Sequence, residues 1–232
     1  MSKNSVYLIK IKNMLTQSEE NYLKAIYSLS EDQNEAISTN LLAEKMSTKP
    51  SSVTDMVKKL SVKKLISYQK YQGCELTVVG KKRAIQIIRK HRLWEVFLVN
   101  NLNFGWDEVH EIAEQLEHIH SSKLTDHLEE YLGFPKVDPH GDPIPNKNGV
   151  FEKINKSIAL SDVDAAAKGI VVGVEDGSSG FFQFLKRYEI GLGTEIKVVE
   201  KFNFDLSVLV LIDGKEISFS SVVANKIFIQ IK

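Results

Sequence analysis

Apolar residues change their spacing along the chain, and the changes divide it into parts. Tyr22, Leu23, Ile26, Tyr27 and Leu29 recur at three and four residues, as on the buried face of a helix. Thr16-Gln17-Ser18-Glu19 ahead of them is a capping box, so a helix is predicted from there to about Ser30, followed by a turn at 31–34. Leu41, Leu42 and Met46 predict a short helix over 39–46. Ser47-Thr48-Lys49-Pro50 breaks it, and Pro50 presets φ for the start of the next. That helix, over 51–63, turns Val53, Met56, Val57 and Leu60 inward and Ser51, Ser52, Thr54, Lys58 and Lys59 outward.

The period then shortens to that of strands. Residues 65–70 and 74–79 read as a hairpin around Tyr71-Gln72-Gly73, with Gly80 ending it. Two short helices and a hairpin describe a winged helix-turn-helix. Helical spacing returns over 81–102, with Ile85, Ile88, Leu93, Val96 and Phe97 apolar, and again from Trp106 or Asp107 to about Leu132. Pro135, Pro139, Gly141, Pro143 and Pro145 mark residues 133–149 as a structured linker. From about Ile158 the pattern is β-branched. Runs at 169–174, 195–199, 208–212 and 227–231, an Asp213-Gly214 turn and one helix over 181–188 predict a small barrel. The fold class is therefore α+β: a winged helix-turn-helix over 1–80, a helical domain with its linker over 81–150, whose two long helices are the kind that supply dimer contacts, and a small β-barrel over 151–232.

Charge sharpens this division. The formal net charge is zero, but residues 45–92 hold thirteen Lys and Arg against Asp55 and Glu75. Residues 107–130 hold eight acidic groups against Lys123. The basic block suits a phosphate backbone, with Thr39, Lys49, Pro50, Ser51, Ser52, Thr54, Lys58, Lys59 and Tyr71 as its expected DNA face. The acidic block suits a cation. One cysteine, Cys74, excludes a disulfide scaffold within the chain and favours the cytoplasm. No apolar run approaches the roughly 20 residues a membrane helix needs, and residues 1–13 lack a cleavage pattern, so neither membrane insertion nor a signal peptide is expected.

The candidate chemistry lies in His110-Glu111-Ile112-Ala113-Glu114-Gln115-Leu116-Glu117-His118. At about 100° per residue, Glu114, Glu117 and His118 fall near +40°, −20° and +80° from His110, so four donors share one helix face. His91 and Glu95 form a second pair at i, i+4. Imidazole mixed with carboxylate suits a divalent first-row ion. A carboxylate-bridged helical enzyme would need matching pairs on four helices, and one pair is missing, so no enzyme is expected.

Lys49-Pro50-Ser51-Ser52-Val53-Thr54-Asp55-Met56-Val57-Lys58-Lys59-Leu60, Arg89-Lys90-His91-Arg92-Leu93-Trp94-Glu95, the 110–118 segment and Asp138-Pro139-His140-Gly141 together resemble the diphtheria-toxin-repressor family of iron- and manganese-dependent regulators, in its three-domain form. The resemblance runs from about Leu15 to Lys232, and it implies that residues 81–150 form the helical dimerisation and metal-binding domain and residues 151–232 an SH3-like (FeoA-like) β-barrel. It implies two metal positions per subunit: His91, Glu114, Glu117 and His118 at one, and Glu95, Asp138 and His140 with Asp176 at the other. His110 matches a ligand of some iron-responsive members. It further implies a cytoplasmic homodimer that binds a palindromic operator in double-stranded DNA when loaded with Mn²⁺ or Fe²⁺, and represses metal-uptake genes. No sulfur stands at positions 114 or 138, where relatives often carry it, which tilts the expectation to manganese. The sequence departs from the family at Asn21, where an acid or Met is usual, and at Lys24. A regulator with a lost or altered metal response is the alternative these departures leave.

Overall fold

The capping box forms as predicted. The Thr16 N–H donates to Glu19 Oε2 at 2.8 Å and the Glu19 N–H to Thr16 Oγ1 at 3.3 Å. It opens the first helix of a computed structural model that describes residues 14–32, 36–152, 157–175 and 178–231. The chain divides into two compact units, residues 1–89 and 90–232.

In the first unit, α1 (Gln17–Asp32) contacts α2 (Thr39–Lys45) and α3 (Pro50–Val62). Leu23, Ile26, Leu42, Val53, Val57 and Leu60 are fully buried. Ser38 caps α2 by accepting the Leu41 N–H at 3.2 Å, and Pro50 occupies the first turn of α3 as expected. Strands β1 (Ile66–Gln69) and β2 (Gly73–Leu76) form the hairpin; β1 is one residue shorter at each end than the sequence predicts, and β2 starts one residue earlier, at Gly73, and ends three earlier. Gly73, at φ 100°, lies where a Cβ would come 2.6 Å from the Ile37 carbonyl oxygen, because Ile37 bridges Cys74 as a third extended segment.

Gly80 does not end the hairpin. It lies inside α4 (Val78–Leu102), 25 residues long. Thr77 starts that helix by accepting the Gly80 N–H at 3.1 Å. A Cβ at Gly80 would stand 1.9 Å from the Leu65 carbonyl oxygen, so this glycine serves close packing rather than a turn.

In the second unit, the single helix predicted over 106–132 is two, α5 (Val109–Leu116) and α6 (Ser122–Tyr131). Ser121 accepts the Leu124 N–H at 3.2 Å and starts a new helix where the apolar period alone would have continued the old one. The second half of α4 buries Leu98 against Val109 and Ala113 of α5, and Leu93 and Val96 against Leu128 of α6 and Ile144 of the linker.

The remaining strands form one antiparallel sheet, ordered β3-β8-β4-β5-β6-β7: β3 (Ile158–Ala159), β4 (Lys168–Val174), β5 (Glu195–Lys201), β6 (Val208–Ile212), β7 (Lys215–Phe219) and β8 (Ile227–Ile231). Asp213 and Gly214 turn between β6 and β7 with φ of 48° and 78°, both positive as a two-residue hairpin requires. The sheet and α7 (Ser179–Arg187) enclose a core of Val171, Phe182, Leu185, Val198, Val210, Phe219 and Ile229. Among the described residues, no helix is long and apolar enough to cross a membrane.

Candidate metal centre

His91 and Glu95 stand one turn apart on α4, both buried. His91 is held from two sides. Its Nδ1 lies 2.6 Å from Glu117 Oε2, and its Nε2 lies 3.0 Å from Glu95 Oε1 and 3.1 Å from His110 Nδ1. With a cation at Nε2, the ring nitrogen facing Glu117 would carry the proton and donate it there, as a ligating histidine does to a carboxylate behind it. The other nitrogen then presents a bare lone pair to a carboxylate oxygen, with a second imidazole nitrogen beside it. Lone pairs converge like this around a cation.

The α5–α6 break leaves this arrangement intact. Glu117 follows the last residue of α5 at φ −60° and ψ −20°, still helical, so its carboxylate stays on the face it would hold in a longer helix. It is wholly buried. His118 lies in the turn beyond, 3.8 Å from Glu117, and Glu114 lies 3.7 Å from His110 and is half exposed.

Glu95 Oε2 faces a second group, 3.7 Å from His140 Nδ1. Asp138 joins it from the linker. Asp138 Oδ1 accepts the N–H groups of His140 at 2.8 Å and Asp142 at 3.0 Å, while Oδ2 lies 3.5 Å from Arg92 Nε. Arg92 also reaches Asp142 at 3.3 Å and donates to the Pro143 carbonyl. Two sets of donors thus come within ligating range, His91 with Glu95 and His110, and Glu95 with Asp138 and His140. Burial raises the Glu95 carboxyl, but hydrogen bonds from His110, His140 and His91 outweigh it and hold the group well below the usual range. Burial and the charges of Asp142 and Glu95 push Asp138 up to about 7. Burial lowers His140, but Glu95, Asp138 and Asp142 together raise it.

The second set, Glu95 with Asp138 and His140, is the one the resemblance implies. In the first, His91 meets Glu117 as implied, but His110 and an oxygen of Glu95 join it, so Glu95 gives one oxygen to each set. Asp176 lies outside the described residues. The sequence reading gave Arg92, Asp142, Trp106 and Phe182 no role at the site; each acts across a distance that carries no local pattern. Asn21 Oδ1 is buried and accepts no hydrogen bond, which leaves an oxygen at the departing position.

On the expected DNA face, Lys49, Pro50, Ser51, Ser52 and Lys58 are exposed, and Tyr71 is 93% exposed with Lys70 stacked 4.8 Å over its ring. A groove of about 330 Å³ between α2, α3 and the hairpin is lined by Thr39, Asn40, Thr54, Tyr68, Lys70 and Tyr71. Thr54 Oγ1 donates to the Pro50 carbonyl at 2.9 Å. Lys59, expected to meet a DNA phosphate, is half exposed and lies 3.2 Å from the buried Glu19 carboxylate.

Residues 14–74 match the family of the iron-dependent repressor N-terminal DNA-binding domain, residues 77–146 its metal-binding and dimerisation domain, and residues 158–231 the FeoA domain. An uncharacterised HTH-type transcriptional regulator of Methanocaldococcus jannaschii is 36% identical over 118 residues, 51% of this chain and 94% of that protein. The iron-dependent repressor IdeR of Mycobacterium leprae is 33% identical over 133 residues, and the chain spans 57% of its length. A solved structure of a manganese-dependent transcriptional repressor in complex with manganese superposes with a TM-score of 0.79 at 31% identity, covering 92% of this chain and all of that one.

Proposed function

The chain belongs to the iron-dependent repressor family, and on that premise we propose that it is a homodimeric, cytoplasmic repressor that binds a palindromic operator when loaded with Mn²⁺ or Fe²⁺ and controls metal-uptake genes. One observation carries the metal reading: His91 Nε2, His110 Nδ1 and Glu95 Oε1 lie within 3.4 Å of one another with only one proton-free way to satisfy all three, a shared cation. The donors are nitrogen and oxygen throughout, which favours Mn²⁺. When bound, the cation supplies the positive charge these acceptors lack.

The residues do the rest. His91 and Glu95 fix α4. His110 and Glu117 fix α5 and its end, and His140 with Asp138 fixes the linker. Glu95, with one oxygen for each donor set, makes room for two cations per subunit. Each set holds together segments far apart in sequence, so occupancy selects one arrangement of the helices from those available. A 100-fold preference for the DNA-competent arrangement contributes about 2.7 kcal/mol. At the other end, Ser51, Ser52 and Thr54 on α3 read the major groove, Lys49 and Lys58 meet phosphates, and Tyr71 reaches the backbone from the hairpin.

The test is fluorescence anisotropy of a labelled promoter fragment at fixed salt with chelator, Mn²⁺, anaerobic Fe²⁺ or Zn²⁺. Specific binding that needs Mn²⁺ or Fe²⁺ and disappears in Glu117→Gln/His118→Gln supports the reading. Equally tight binding in chelator means that Asn21 and Lys24 have uncoupled the centre from DNA, and the metal-activated reading fails.

A further inference from the structure

Of the three imidazoles in the two donor sets, His140 alone sits on a loop, and a ligand on a loop needs support from outside it. The barrel supplies that support. Its Val174, in β4, donates its N–H to the His140 carbonyl at 2.9 Å. Gly141, at φ 92°, lies so close to the same strand that a Cβ there would come 2.2 Å from the Val172 carbonyl oxygen and 2.4 Å from Gly173 Cα. β4 bulges between Val171 and Gly173, where that approach occurs.

The side chain is held as firmly as the backbone. The His140 ring lies 4.8 Å from Phe182 of α7 at 32°, and Trp106 approaches it edge-on at 5.9 Å and 78°. Trp106 and Phe182 meet each other perpendicularly at 6.2 Å. Trp106 comes from the α4–α5 connection but packs against the barrel core. Between these rings, His140 aims Nδ1 at Glu95, while its Nε2 is buried with no hydrogen-bond partner. A buried ring with one nitrogen left unsatisfied is turned by its neighbours, not by its own hydrogen bonds.

We infer that Phe182 and Trp106 are positioning residues that set the His140 ring for cation binding, so that docking of the barrel on the linker and occupancy at His140 form one coupled event. This rests on the metal reading above. Coupling is reciprocal: what fixes the barrel tightens the site, and what fills the site tightens the barrel.

The experiment compares the full chain with Phe182→Leu and Trp106→Leu, and with Trp106→Phe as the conservative variant. Mn²⁺ binding is read by the electron paramagnetic resonance signal of the free ion. Amide hydrogen exchange is followed at Val174, which bonds to His140, and at Val198, in the barrel core. In the wild type, Mn²⁺ slows exchange at Val174. Both leucine variants weaken one of the two Mn²⁺ classes by at least tenfold, spare the other, and abolish the Mn²⁺ effect at Val174 while Val198 stays protected; Trp106→Phe behaves as wild type. Trp106→Leu, outside the barrel, decides the matter alone if Phe182→Leu exposes Val198. Unchanged Mn²⁺ affinity with Val198 protected makes the rings core packing only and overturns the inference. A wild type that binds no Mn²⁺ overturns the metal reading and the inference with it.

Discussion

Glu19 closes the capping box of α1 and also receives two lysines, Lys63 at 2.7 Å and Lys59 at 3.2 Å, while wholly buried. Burial raises its carboxyl, but the Lys63 ammonium, the Thr16 N–H and Lys59 outweigh it, so the folded group titrates below its ordinary value of 4.5. Its contribution is therefore complete above pH 4.5 and is lost as the pH falls through the lower folded value. Glutamine keeps the box and removes the charge, so Glu19→Gln is expected to lose about 1 kcal/mol at pH 7, with the deficit closing below pH 4.5, as read by urea unfolding across that range. Glu95→Gln tests the shared ligand. It should weaken both Mn²⁺ classes by roughly 10- to 100-fold, where Glu117→Gln weakens one, in a direct Mn²⁺ titration. At this scale the helical spacing of His91 with Glu95, and of His110 with Glu117, pointed to donors that the fold brings together, and the sequence showed the box. It did not show Lys59 pairing with Glu19 or Arg92 gripping Asp138, because those pairings join residues about 40 apart through the fold alone.

Elements were legible where a period coincided with a cap and illegible where the two disagreed. The first helix carries both signals in its period and capping box, the third carries its period with Pro50 at its start, and the Asp213-Gly214 turn lies between two β-branched runs. The segment 106–132 keeps an apolar period throughout, and only Ser121, an unremarkable residue in that pattern, divides it. Ser121→Ala is expected to cost about 1 kcal/mol and to lower the thermal midpoint, since the Leu124 N–H loses its acceptor. Gly80 misled for the opposite reason. A glycine after a strand reads as a turn, and nothing local announces a carbonyl 1.9 Å from where its Cβ would be.

The order of domains was the most legible feature of the whole molecule, because the hydrophobic period changes near residue 81 and again near 158, with a Pro- and Gly-rich stretch before the second change. What joins the parts was not, since Gly141 against β4 and Trp106 in the barrel core have no signature shorter than the fold. Every described donor in the two sets belongs to residues 90–232. Saturating Mn²⁺, at about 100 times its dissociation constant, is expected to stabilise that unit by about 2.7 kcal/mol. Amide exchange should therefore slow in α5, the linker and β4 by more than in β1 and β2.

The chemistry of the donors has a last consequence, for oxidation. Neither donor set contains sulfur, so a peroxide finds no thiol there to convert to a sulfenic acid. The chain's one thiol, Cys74, is buried in the hairpin, and burial with the Glu75 charge pushes it up to about 11, far from the reactive thiolate at neutral pH. Hydrogen peroxide should leave Mn²⁺ affinity unchanged, and a free-thiol assay afterwards should still find Cys74 reduced. Such a regulator goes on reporting metal supply through an oxidative burst that would silence a cysteine-ligated one.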